Sequence, residues 1–182
     1  MSNNCCRCSE GCCVPQGKRV VIEYLYLDMT VCDRCVGTGK VLDKVVREVT
    51  PALELAGFQV CYEKKKIDTR EMAEQYRFLS SPTILVNGQD ICGAVVESDC
   101  GCCASISGTQ VDCRVFEYEG KQFEVPPIEM LAEAILKGAF RPAEKNEGLF
   151  ELPENLKRFF EGKEKMASCC CGSGCCDSGC CC

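Results

Sequence analysis

An α/β fold is what this sequence predicts, on three observations. Apolar runs typical of strands alternate with helical periodicity in the order β-α-β-α-β-β-α. Glycine and proline punctuate the junctions between them. The 182 residues suffice for one domain of ordinary size with tails to spare.

The elements follow in order. "RVVIEYLYL" (19–27) is β-branched, aromatic and nearly continuously apolar, as in a buried strand. Cys32-Asp33-Arg34-Cys35 comes next, then a helix with Leu42, Val45, Val46, Val49 and Leu53 on one face. Pro51 either kinks this helix or starts a new one, and Gly57 stops it. "FQVCYEKKKI" (58–67) alternates as a second strand. Asp68 and Glu71 have capping-box spacing and open a helix whose apolar face is Met72, Tyr76 and Leu79. "SSPTILVNGQDI" (80–91) reads as a strand entered by proline and closed by an Asn87-Gly88 turn. Residues 113–125 form a hairpin around Glu119-Gly120, and 126–138 form a helix with proline at its start and Gly138 at its end.

Four regions result: a Cys-rich arm (1–17), a domain (18–140) with a Cys-rich loop (92–113), a linker with a short helix (141–167) and a Cys-rich tail (168–182). The helix near 153–162 carries Leu152, Leu156, Phe159 and Phe160 on one side and is expected to pack on the domain. Both tails are expected to be flexible, since neither can bury a core.

Composition narrows the chemistry. Cysteine supplies 21 residues and histidine none, so a protein metal site must use thiolate, with carboxylate as second choice. The net charge of −6 and lack of a basic stripe argue against nucleic acid as a partner. No signal peptide or membrane-spanning apolar run is read, so the expected address is the cytoplasm, where thiols stay reduced.

The order of elements over 18–140, Cys32 and Cys35 between the first strand and first helix, and Ser81-Pro82-Thr83 before a later strand together resemble the thioredoxin-like superfamily. "VDCRVFEYEGKQFEVPP" (111–127) looks like a prokaryotic thioredoxin-like domain family of undetermined function. The resemblance implies a three-layer fold, a central mixed sheet flanked by helices. It also implies catalytic roles for Cys32, Cys35 and Pro82, and substrate contact by Arg34 and Ser81. Protein or small-molecule disulfides would be the partners.

Chemistry supports such a placement. A thiolate at a helix start is favoured by free backbone N–H groups and the helix dipole. Cys32 is expected to be exposed and to attack; Cys35, one turn on, resolves the mixed disulfide. Arg34 should favour the thiolate and Asp33 oppose it. The bland alternatives are two buried sulfurs or half of a structural zinc site. Such a site needs about four ligands, and the domain is read as having no second C-x-x-C.

The loop cysteines Cys100, Cys102, Cys103 and Cys113, with Cys92 nearby, could form a thiolate site, a second redox couple or a stapled loop. Cys61 reads as core. In the arm, Cys5, Cys6, Cys8, Cys12 and Cys13 are candidate ligands; in the tail, Cys169, Cys170, Cys171, Cys175, Cys176, Cys180, Cys181 and Cys182 are. Adjacent cysteines pair poorly with each other but wrap readily around a soft cation. The tails resemble metallothionein in composition only; acylation and an expendable extension are the rivals.

No organic cofactor is expected. The candidate ions are zinc, copper(I), mercury(II), arsenic(III) and cadmium. The first functional expectation is a thiol protein that binds, relays or detoxifies such ions through thiolates, with a redox-active C-x-x-C and a metal-transporting or reductase partner. The alternatives are a general thiol-disulfide oxidoreductase with incidental tails, and a non-enzymatic ion sink.

Overall fold

The computed structural model describes residues 18–141 and 148–169. Strand β1 (Lys18–Tyr26) is followed by α1 (Asp33–Leu55), β2 (Phe58–Lys66), α2 (Arg70–Gln75), β3 (Thr83–Val86) and β4 (Gln89–Asp90). Then come β5 (Val96–Asp99), α3 (Gly101–Ser107), β6 (Asp112–Tyr118), β7 (Lys121–Phe123), α4 (Ile128–Phe140) and α5 (Glu154–Cys169).

A mixed sheet in the order β2-β1-β3-β4 forms the centre. β1 runs parallel to β2 and antiparallel to β3, which pairs antiparallel with β4. The parallel pair requires a crossover, and α1 supplies it. Alternation along β1 and β3 feeds two cores. Val20, Ile22, Tyr24, Ile84 and Val86 face α1 and α4. Leu25 and Leu85 face the opposite side, with Phe78, Phe159 and Phe160. The sheet therefore lies between helical layers, as expected. Each fully buried large apolar side chain contributes about 1.5–3 kcal/mol.

The region read as a loop holds more structure than expected. It contains β5 and α3, and β5 joins β6 and β7 in a second, antiparallel sheet. Arg114 of β6 pegs this sheet to the first. Its guanidinium is fully buried and donates to Thr83 Oγ1 (3.0 Å), Asp90 Oδ2 (2.7 Å) and the Gly93 carbonyl (3.2 Å).

Several local expectations need adjustment. Pro51 lies inside α1 without ending it. The cap of α2 is Thr69, whose hydroxyl accepts from the Met72 N–H (3.3 Å), while Asp68 instead pairs with Lys66 and Lys163. Leu79 is exposed and Phe78 is buried, because the chain leaves helical geometry at Arg77, where φ is 49°. Helix α4 runs past Gly138 to Phe140.

Helix α5 packs on α3, with Leu156, Phe159 and Phe160 buried. Gly162 makes the approach feasible, since a Cβ there would lie 2.2 Å from the Ser107 carbonyl oxygen. No helix among the described residues is long and apolar enough to cross a membrane.

Candidate metal centre

The approach to α1 fixes the first sulfur. The Asp28 carboxylate accepts from the Thr30 N–H (2.6 Å), the Thr30 hydroxyl and the Val31 N–H (3.1 Å). Burial would raise the Asp28 carboxyl, but these bonds bring it below its ordinary value. The turn so formed delivers Cys32 to the N-cap of α1, in extended geometry, with its thiol free of any capping bond. Its carbonyl accepts from the Val36 N–H (2.9 Å).

A second C-x-x-C repeats the arrangement. Cys100-Gly-Cys-Cys103 places Cys100 at the N-cap of α3 and Cys103 in its first turn. The Cys100 N–H bonds the Val111 carbonyl (3.0 Å), and Cys113 sits on β6 opposite Ser98 of β5. Sequence reasoning missed this pair by reading "CGCC" as a cluster. The spacing was the available signal.

Folding brings the two motifs together. The Sγ atoms of Cys32, Cys100, Cys103 and Cys113 all lie within 4.8 Å of one another, and all four residues are buried. Cys32 and Cys100 are 3.9 Å apart; Cys103 and Cys113 are 3.4 Å apart. A tetrahedral ion with metal–sulfur bonds of about 2.3 Å needs sulfurs about 3.8 Å apart. Four cysteines thus stand close enough to hold a metal ion, and a thiolate set suits soft cations.

Without a cation, four touching sulfurs cannot all ionise, so the charge is shared unevenly. Hydrogen bonding from Cys100, then Cys103, Cys113 and Cys35, holds the Cys32 thiol far below its usual value despite burial. Cys103 and Cys113 together draw Cys100 down to about 6. Cys103 and Cys113 are pushed up, each chiefly by Cys100. A bound cation would replace the protons they keep.

The other expected residues fall in distinct places. Cys32 is not exposed: its accessibility is 0%. The β5–α3–β6 excursion and α5 build the second core on that side, enclosing the sulfur. Cys35 is buried outside the quartet, with its thiol 3.4 Å from Ser81 Oγ. The Cys32 thiolate first, and burial next, push Cys35 up.

Ser81 also accepts from the Leu27 N–H (3.1 Å), its own carbonyl accepts from the Arg114 N–H (2.7 Å), and the Ser81–Pro82 peptide is cis. Ser81 and Pro82 are both buried rather than open to solvent, with Ser81 against Cys35. Cys102 is partly exposed and is not in the quartet; Cys61 and Cys92 are buried elsewhere. Cys169 ends α5, but its side chain lies outside the described residues. So do Cys5, Cys6, Cys8, Cys12, Cys13, Cys170, Cys171, Cys175, Cys176, Cys180, Cys181 and Cys182.

Arg34, expected to contact substrate, is engaged within the fold. It is 8% exposed, and its guanidinium donates to the carbonyls of Ser98 (3.2 Å), Cys113 (3.1 Å) and Asp99 (3.1 Å), and to Glu124. This residue between Cys32 and Cys35 therefore clamps the end of β5, which leads into Cys100, and β6, which carries Cys113. Asn155 of α5 adds a hook that no sequence signal marked. Its amide accepts from the Asp112 N–H (3.0 Å) and donates to the Asp112 carbonyl (2.7 Å) and Glu97 (3.1 Å).

No curated protein gives a significant match to the chain, and no solved structure does. One family profile matches residues 20–135, a span holding all four clustered sulfurs, Cys35, Arg34, Ser81 and Pro82. Helix α5 and the Cys-rich termini lie beyond it. The chain belongs to the family described as a domain of unknown function, DUF2703.

Proposed function

We propose that the protein binds one thiophilic metal ion in the buried site of Cys32, Cys100, Cys103 and Cys113. One observation carries this reading: four sulfurs from distant parts of the chain converge within 4.8 Å of one another. Tetrahedral spacing favours zinc or cadmium among the candidate ions. The terminal cysteine clusters serve as capture arms that hand an ion inward by thiolate exchange, and a metal-transporting or reductase protein is the corresponding partner.

The test uses the full-length chain with its thirteen terminal cysteines changed to Ser, purified anaerobically and offered zinc. Native mass spectrometry is expected to show one tightly held ion. Cys113→Ala or Cys103→Ala should abolish it, and Cys61→Ala should not. Eight alkylatable thiols and no ion in the folded parent would overturn the proposal.

Disulfide exchange of the thioredoxin-like kind is the second reading. The contact between the Cys35 thiol and Ser81 Oγ favours it, as does the contrast between a low Cys32 and a high Cys35. Burial of Cys32 weighs against attack on bulky protein disulfides. Insulin reduction that is lost in Cys32→Ser would favour this reading over simple ion binding.

A further inference from the structure

A four-sulfur site needs no fifth thiol, yet one is built in beside it. Cys35 is fully buried and rests against Ser81 Oγ at 3.4 Å. Cys32 and Cys35 stand one helical turn apart at the start of α1, where Cβ atoms three residues apart lie about 5–6 Å from each other. That separation is within reach of a disulfide after small adjustment. Cys100 and Cys103 share the spacing, but both are members of the quartet. Cys35 alone combines a position outside the quartet with a partner inside it one turn away.

Cys32 and Cys100 both cap helix starts and both are flanked by exposed residues, Val31 and Asp33 for the one, Asp99 and Gly101 for the other. Of the two, Cys32 is the one with a thiol outside the quartet one turn on. Cys103 and Cys113 lie on the α3 and β6 side, where α5 packs and Asn155 hooks Asp112.

We propose that Cys35 is a built-in release thiol: a small hydroperoxide oxidises Cys32, Cys35 closes a disulfide onto it, and the ion loses one of its four ligands. This rests on the ion-binding reading above. In the first step the Cys32 thiolate attacks the outer peroxide oxygen. An S–O bond forms, the O–O bond breaks, and the alcohol leaves with a proton taken from solvent. In the second step the Cys35 sulfur displaces hydroxide from the Cys32 sulfenic acid; the Cys35 proton joins it as water. The two sulfurs together lose two electrons, and the peroxide gains them. Three thiolates remain, too few for a closed tetrahedral site. A dithiol reductant restores the fourth and permits reloading.

The experiment uses the same full-length chain with serine at the terminal cysteine positions, loaded with zinc. Hydrogen peroxide is added, zinc is read with a chromogenic chelator, and bridges are mapped by mass spectrometry after alkylation. The parent is expected to lose its zinc, to show a Cys32–Cys35 bridge and to rebind zinc after dithiothreitol. Cys35→Ala and the near-isosteric Cys35→Ser should still bind one zinc, retain it under the peroxide that empties the parent, and form no bridge. A bridge between Cys103 and Cys113 or between Cys100 and Cys103 in the parent would overturn the proposal without touching ion binding. So would equal release by parent and variants. A reduced, folded parent that takes up no zinc would bring down the ion-binding reading and this inference with it.

Discussion

Replacing Arg34 with Met keeps most of the side-chain length and removes four charge-assisted bonds. Three go to backbone carbonyls, of which the Cys113 bond is buried and those to Ser98 and Asp99 are partly so. The fourth acceptor, Glu124, is 68% exposed, so that pair contributes at most about 1 kcal/mol. A hydrogen bond to a charged donor is worth about 1.5–3 kcal/mol. The buried Cys113 carbonyl should lose that in full, and solvent can partly compensate the other two. The expected loss is about 3 kcal/mol, a large share of the 5–15 kcal/mol typical of a domain.

Urea denaturation of the reduced protein measures that loss. Zinc affinity should fall about 10–100-fold, as for outer partners of metal ligands. Arg34→Lys should recover only part, because one ammonium cannot span these acceptors. Glu124→Gln is the control and should change little. A loss under about 1 kcal/mol in Arg34→Met, with zinc affinity intact, would refute the clamp assignment.

Gly162→Ala should push α5 off α3, costing about 1–3 kcal/mol and speeding hydrogen exchange along α5, because its Cβ would meet the Ser107 carbonyl at 2.2 Å. Burial pushes the Cys92 thiol from 9.0 up to about 12, with Asp90 adding to the effect. The folded state therefore holds that proton more tightly than the unfolded chain, and the resulting stability is present below pH 9 and lost as the pH rises toward 12. Cys92→Ala should flatten this alkaline decline in a pH series of denaturation curves. Zinc should raise the melting temperature of the reduced chain in a concentration-dependent way, and a strong chelator should reverse it. Cys113→Ala should show neither response.

The framework of the central sheet was legible because its signals are local. The apolar run of β1, the helical stripe from Leu42 to Leu53 and the Asn87-Gly88 turn each report one element. The centre was only half legible. Cys100, Cys103 and Cys113 stand out as candidate ligands, while Cys32 reads with Cys35 as a pair for redox work or ion transfer rather than as a fourth ligand of the same site. Its membership of the quartet depends on how α3 returns to the start of α1, which no periodic pattern records. Burial of Cys32 was missed for the same reason: the covering comes from residues 100–113 and from α5. Arg34 reads as surface charge beside a reactive thiol until β5 and β6 present carbonyls to it.

Sixty-eight residues separate Cys32 from Cys100. During synthesis at about 5–20 residues per second, the first sulfur leaves the ribosome roughly 3–14 seconds before the second. Throughout that interval it has no counterpart from β6 or α3. The nascent polypeptide thus passes through a stage that holds one of the four quartet sulfurs without the other three, and stocking the site belongs to the time after translation has moved past residue 113.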